Sequence, residues 1–349
     1  MGLVEQHRAL NRPEHPVCSI CIANYNGTAL LDDCLASVLT QEGGVSIEVI
    51  VHDDASTDES VALLRAHYPQ VEILASQENV GFCIANNRMV AHARGEFVLL
   101  LNNDAALHPD ALLTMIEAAR AQSSSGILTL PQYDWETGVL VDRGCLLDPF
   151  YNPVPNLDPG RCEVAMVIGA CLWVARDVWN ELGGFPEWLG SIGEDMYLCS
   201  VARLHGRPVK VAGASGYRHR QGASFGGNRA TTQGLQSTFR RRYLSERNKL
   251  RVMVICTPTL LVIPLLVLHL LLLVAEGFVL TAVRRDKRIW REVYGHASGD
   301  LLRGISKLWM MRRRQQRQRV ASLGDFLHCF VLTHRKLGLL CRYGVPRIR

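Results

Sequence analysis

Three short polar clusters interrupt apolar runs in the first third of the chain: Asn24-Tyr25-Asn26-Gly27, the stretch from His52 through Asp53, Asp54 and Ser56 to Asp58, and Asn102-Asn103-Asp104. Each sets carboxylates, amides or an aromatic ring at the end of an apolar run. Helix N-capping would use one or two of the side chains between Asp53 and Asp58, but hardly all of them. No GxGxxG and no P-loop pattern follows any of these runs, which removes dinucleotide oxidoreductases and P-loop ATPases from the reading. Phosphate charge must then be met another way. A divalent cation on an exposed carboxylate is the natural one, because Mg²⁺ is held by one or two protein carboxylates together with substrate phosphates. Cys18 and Cys21 form a CxxC, but residues three apart on a strand face opposite ways and cannot share a metal. All eleven cysteines read as packing residues or free thiols.

The elements that must position these clusters are legible from periodicity. Val17 to Ala23, Ile47 to Val51, Val71 to Ala75, Phe97 to Leu101 and Gly126 to Leu130 are short apolar runs rich in Val, Ile and Leu, and they predict strands. Between them lie four segments with apolar residues at i, i+3 and i+4, which predict helices. The alternation predicts an α/β fold with a mostly parallel sheet flanked by helices on both faces, in which ligands bind beyond the carboxyl ends of the strands. All three polar clusters sit at such ends.

Taken together, these stretches resemble glycosyltransferase family 2, the inverting enzymes with the GT-A fold, and within it the bacterial rhamnosyltransferase branch. ICIANYNG resembles the family's opening strand and nucleotide-contacting loop, VHDDASTDES its base-binding acidic turn, and ENVGFCIANNRMV the helix start that follows the nucleotide. The resemblance implies that Asn24, Tyr25, Asp53, Asp54, Asn79, Gly81, Asn86, Asn102, Asn103 and Asp104 contact the donor. LLLNNDA resembles the DxD-type motif, so Asp104 is expected to hold a divalent ion, Mg²⁺ or Mn²⁺, with Asn102 in place of the first acid. GSIGEDMYL resembles the acceptor side, which implies Asp195 as the general base and Glu194 and Trp188 as acceptor contacts. Tyr197 stands where the family usually has a further acid. YRHRQGAS resembles the segment that closes over the donor, with His219 as a metal ligand, and the Gly-rich stretch after it reads as a lid.

Charge divides the chain. Up to Phe239 there are 15 Lys and Arg against 27 Asp and Glu; after it there are 23 against 6. The basic part contains 24 residues, Val252 to Ala275, without a single charged side chain. At about 1.5 Å per residue a helix of that length could cross a hydrocarbon core of about 30 Å. Basic residues on both flanks favour two cytoplasmic ends, which suits a re-entrant or interfacial segment better than a single span. The expected organisation is an extension (1–16), a glycosyltransferase domain (17–239, with a nucleotide-sugar half at 17–130 and an acceptor half at 131–239) and a basic, membrane-associated helical tail (240–349). Met1 to Pro16 is polar, so the folded part is expected in the cytoplasm, at the inner face of the plasma membrane. The expected partners are a dTDP- or UDP-linked sugar such as rhamnose or another deoxyhexose, a glycan or lipid-linked acceptor, and the membrane, with no nucleic acid. The alternative is a catalytically degenerate scaffold that binds nucleotide or glycan.

Overall fold

The computed structural model describes residues 4–222, 230–231 and 234–349. The expected lid falls mostly on 223–229 and 232–233, outside the described residues. The chain begins with β1 (Val4–His7), β2 (Cys18–Asn24), α1 (Thr28–Leu39), β3 (Ile47–Asp53), α2 (Ser60–His67), β4 (Val71–Ser76), α3 (Phe82–His92) and β5 (Phe97–Asn102). Strands β4, β3, β2 and β5 lie side by side and parallel, with β1 antiparallel on the β4 edge. Ile20, Ile22, Ile50, Val51, Leu99 and Leu100 are fully buried. Consecutive residues disappear from solvent because helices cover both faces, as a parallel sheet requires.

There follow β6 (Ala105–Leu107), α4 (Ala111–Arg120), β7 (Ile127–Thr129), β8 (Gln132–Asp134), β9 (Leu140–Asp142), β10 (Cys145–Leu147), β11 (Pro153–Pro155), β12 (Cys171–Ala175), α5 (Arg176–Leu182), α6 (Glu194–Leu204), β13 (Val209–Val211) and β14 (Tyr217–His219). The sheet is mostly parallel, as expected, but not wholly so. Strand β12 inserts between β5 and β7, antiparallel to both, so the eight-stranded sheet is mixed. Its run CLWVA is apolar throughout, and periodicity cannot separate such a run from a helix. Packing holds it in place: Trp173 is fully buried and stacks on Phe97 with ring centroids 5.0 Å apart. A second sheet, in the order β6, β14, β8, β9, stands at the end of β5.

The C-terminal third consists of α7 (Phe239–Cys256), α8 (Val262–Arg284), a π-helical stretch (Ile289–Tyr294), α9 (Gly295–Arg317), α10 (Leu323–Leu327) and α11 (Arg335–Tyr343). The uncharged run Val252–Ala275 is not one segment. Val252 to Cys256 end α7 in the fully buried core, and the chain then turns at Thr257-Pro258. The apolar helix runs on to Arg284, because Glu276 does not stop it: its carboxylate pairs with Arg242 and Lys336. Pro264 is tolerated in the first turn, where its missing N–H would have no helical partner. Thr259–Arg284, 26 residues, is long and apolar enough to cross a membrane, with a mean hydropathy of 2.5 over its most apolar stretch. One side, Val262, His269, Leu273, Gly277 and Leu280, packs on the protein. The other leaves Ile263, Val267, Leu271, Phe278 and Val279 exposed. Gly277 permits the packing, since a Cβ there would lie 2.7 Å from Tyr294 Cβ.

Candidate active site

The carboxyl ends of β2, β3 and β5 are tied to one another by side chains. Asn24 is buried; its amide donates to Asp53 Oδ2 at 2.9 Å, and its carbonyl accepts from Asn103 Nδ2 at 2.8 Å. Asp53 also accepts from the Ser56 amide and hydroxyl, at 2.9 and 2.7 Å. Gly27 lies against this knot: a Cβ would come within 2.2 Å of Asn24 Oδ1 and 2.3 Å of Asn103 Nδ2. The glycine is needed for space, as its φ of −114° is open to any residue. Asp54 reaches across to the start of α3 and accepts from the Val80 and Gly81 amides at 2.7 and 2.9 Å. Burial holds its carboxyl above the usual range despite these bonds. Asp54 thereby shapes the Asn79–Gly81 loop. Tyr25 stands 54% exposed beside the strand ends, free to stack on a planar ring. Asn86 is placed differently: it is buried in α3 and its amide bonds to the Phe82 carbonyl.

The second sheet brings Asp104 and His219 together. Both are buried, and His219 Nε2 lies 3.1 Å from Asp104 Oδ1. On the other side of the ring, His219 Nδ1 lies 3.3 Å from Gln132 Oε1, which also accepts from the Tyr217 hydroxyl at 2.8 Å. A carbonyl oxygen that already receives one hydrogen bond favours the Nδ1–H tautomer, and the assignment rests on that network. The Nε2 lone pair then converges with a carboxylate oxygen, a donor set that suits a hard divalent cation. Among the described residues no cluster of three or more His, Cys, Asp or Glu side chains could hold a metal. Two protein ligands therefore fit a cation completed by phosphate oxygens, and Gln132 orients one of them. Asn102 points its backbone N–H to the Ala170 carbonyl at 3.1 Å. A second carboxylate, Asp142, is buried nearby on β9; burial pushes it up to about 7 against a bond from the Gly144 amide and the neighbouring His219. Neither Gln132 nor Asp142 was legible in advance. Each stands on a three-residue strand whose pairing is set by tertiary contacts.

Across the cleft, Glu194 and Asp195 open α6 after Gly193, which caps the helix at φ 91°. Asp195 accepts from the Gly169 amide at 3.1 Å and the Met196 amide at 2.7 Å. Burial nevertheless raises its carboxyl above the ordinary range. Burial, and then the charge of Asp195, lift Glu194 to about 8. Trp188 packs edge-on against Tyr197, with ring centroids 5.8 Å apart. Together with Asn79, Gly81, Glu187, Arg240 and Arg247 it lines a cavity of about 290 Å³. Tyr197, at the position expected for a further acid, is buried, and its hydroxyl accepts from Gln315 of α9.

Helix α7 supplies what the sequence assigned to a tail. Arg241 faces the two acids and interacts with the charge of both. Asn248 is fully buried and donates to the Leu189, Ser191 and Ile192 carbonyls at 3.2, 3.0 and 2.6 Å. Arg247 and Arg251 donate to the Leu189 and Trp188 carbonyls. The loop before Glu194 is thus held from outside the sheet. The advance signal was the helical spacing of Arg242, Glu246 and Lys249, which the basic composition around them masked.

Residues 19–183 match the profile described as Glycosyl transferase family 2. The chain is 31% identical over 188 residues to the chondroitin synthase of Escherichia coli, covering 52% of this chain and 26% of that one. It is 27% identical over 213 residues to the N-acetylglucosaminyl-diphospho-decaprenol L-rhamnosyltransferase of Mycobacterium tuberculosis, covering 52% and 69%. The chain spans between 18% and 32% of the first six curated relatives it matches. Among solved structures, a mannosyltransferase of Pyrobaculum calidifontis in complex with GDP-Man and Mn²⁺ has the same fold, with a TM-score of 0.50, 16% identity, and coverage of 89% of this chain and 88% of that one. The expected GT-A architecture is the one adopted.

Proposed function

We propose a function from one premise: residues 19–183 belong to glycosyl transferase family 2. The protein transfers a sugar from a nucleotide-sugar donor to a hydroxyl of a lipid-linked glycan acceptor, with inversion at the sugar carbon. The observation that carries this reading is the pair Asp104 and His219, two ligand atoms converging at the strand ends where the nucleotide of such a donor would lie. Asp104 and His219 would hold Mg²⁺ or Mn²⁺. Bound there, the ion would supply positive charge to the donor diphosphate and to the leaving nucleotide. Tyr25 stacks on the base, and the Asn79–Gly81 loop shaped by Asp54 borders the donor. Asp195 takes the proton of the acceptor hydroxyl as the new glycosidic bond forms, while Glu194 and Trp188 hold the acceptor. Attack from the side opposite the leaving group in a single step inverts the sugar carbon.

The donor we favour is a dTDP- or UDP-linked deoxyhexose such as rhamnose, on the strength of the relative named as a rhamnosyltransferase. The acceptor is placed at the membrane for a separate reason. Helix α8 is pinned along one side by α7 and α9 and leaves the other side apolar and bare. A helix packed beside the arginine-rich α9 cannot stand across a bilayer without carrying those charges in, so α8 lies in the interface, apolar side down, on the cytoplasmic face.

The test is thermal stability of the purified full chain with UDP, dTDP and GDP, each with and without Mg²⁺ or Mn²⁺. A ligand at 100 times its dissociation constant adds about 2.7 kcal/mol. A metal-dependent rise with one nucleotide, absent in Asp104→Asn, is the expected result. No rise with any nucleotide would discard the transferase reading in favour of a glycan-binding scaffold.

A further inference from the structure

The C-terminal end of α9 carries Arg312, Arg313, Arg314 and Arg317, Arg319 follows just past it, and among the described residues none of the five is in an ion pair. Arg312 is buried and is used internally: its guanidinium donates to the Val254, Thr257 and Thr259 carbonyls and closes the end of α7. Gln316 adds bonds to the Ile255 and Cys256 carbonyls. Arg313 is exposed and Arg319 half-buried, and with Trp309 they line a cavity of about 360 Å³ whose opposite wall is Thr259 and Leu260. Thr259 sits at φ 57°, a left-handed conformation that is costly for a β-branched residue and is held here by the bond from Arg312. This turn brings Leu260 to the rim of the cavity, 72% exposed. From that rim a bare apolar stripe continues along α8 through Ile263, Val267 and Leu271.

A cavity with unpaired guanidinium groups and an indole, opening directly onto a hydrocarbon-like stripe, matches a molecule with an anionic phosphate head and an apolar tail. We propose that this cavity binds the phosphate headgroup of a membrane lipid, with Arg313 and Arg319 as the phosphate contacts and the lipid chains lying along Leu260, Ile263 and Val267. Arginine suits the task because its planar fork meets two phosphate oxygens at once. The ligand is an anchoring lipid and not the acceptor. Arg241, beside the acids, and Thr257, the C-cap of α7 whose carbonyl is held by Arg312 of the cavity, stand sixteen residues apart, about 24 Å at about 1.5 Å per residue, farther than a diphosphate with one sugar reaches. The proposal rests on the interfacial reading of α8, and the experiment separates the two.

The full chain is floated with vesicles of pure phosphatidylcholine and with vesicles in which about a third of the lipid is phosphatidylglycerol. The wild-type protein is expected to bind both and to prefer the anionic vesicles by roughly tenfold or more. Arg313→Gln/Arg319→Gln, both substitutions being at the surface, is expected to bind both kinds alike. The charge-matched control Arg65→Gln/Arg120→Gln on α2 and α4 should keep the preference. Leu260→Ser/Leu271→Ser is expected to lose binding to both kinds of vesicle. If the arginine variant keeps the full preference, or the wild type shows none, the headgroup site is wrong and the apolar docking stands. If the wild type floats with neither vesicle, the interfacial reading itself fails and this proposal with it.

Discussion

At the scale of single residues, the two acids that open α6 cannot both ionise freely. Glu194 is lifted to about 8, first by burial and then by Asp195, and burial also raises Asp195. A base must be deprotonated to work, so kcat/KM is expected to rise with pH along a limb above the ordinary carboxylate range. Glu194 is still protonated where Asp195 ionises, so Glu194→Gln replaces one neutral group with another and should leave that limb in place while removing any second step near 8; a pH–rate profile separates the two. Asp195→Asn should abolish the limb together with turnover. Gln132 makes a second prediction. Gln132→Leu keeps the volume but removes the oxygen that orients His219, and losing such an outer partner weakens metal binding by roughly 10–100-fold. Gln132→Glu keeps an acceptor and should restore much of it, as Mn²⁺ titration with UDP present would show. The clusters around Asp53 and Asp104 were legible in the sequence because each sits at the carboxyl end of a strand. Gln132 and Asp142 were not, because nothing local to β8 or β9 says that their neighbour is β14.

At the scale of elements, strands β2 to β5 and the helices between them follow local periodicity and lie within a few residues of expectation, while β1 falls in the stretch expected to be an extension. Strand β12 does not, since its place between β5 and β7 is decided by Trp173 filling the core beside Phe97. Helix α7 is the larger lesson. Its arginines and lysine read as the basic flank of a membrane segment, yet one side of the helix clamps the acceptor loop through Asn248. Asn248→Ala strands three loop carbonyls that are bonded now. At about 1–3 kcal/mol for a buried polar group left unpaired, the variant should lose roughly 2 kcal/mol of stability in urea denaturation. Its kcat should fall more than KM for the donor rises, because the loop sets Glu194 and Asp195 and not the nucleotide.

At the scale of the whole molecule, the basic part of the chain holds a buried charge network of its own that reaches the acidic part through Lys249. Lys249 and Lys336 pair with Glu246 at 2.9 Å each, and Arg242 and Lys336 with Glu276 at 2.5 Å each, so α7, α8 and α11 share one network. Lys249 also donates to Asn152 at 2.7 Å, which carries the network into the acceptor half. Burial alone would raise Glu246, but Lys249, Lys336 and Arg242 hold it well below the usual carboxylate range. Its contribution to stability is complete above the pH at which an unfolded glutamate ionises, and is lost as pH falls through that range toward the depressed value. Lys336→Met should cost about 2 kcal/mol, less than a fully buried pair because Lys336 is partly exposed. It should also flatten the loss of Tm on acidification, because Glu246 is then less depressed. Composition showed the charge asymmetry, but not that the two signs meet inside the fold.

Helices α7 and α8 lie side by side as a hairpin, linked at one end by the turn at Thr257–Leu261 and at the other by Arg242 and Glu276. With α8 on the lipid, α7 is the next layer up, about 8–10 Å above it, and Asp195 stands over the Arg241 end of that layer. The catalytic floor therefore has a short standoff from the bilayer. A sugar still attached to its lipid carrier would meet the base without being lifted off the surface, while a bulky soluble chain would have to approach from the side. On the proposed interfacial seating of α8, the hairpin would work as a height gauge that selects acceptors by how far their reactive hydroxyl projects from the membrane.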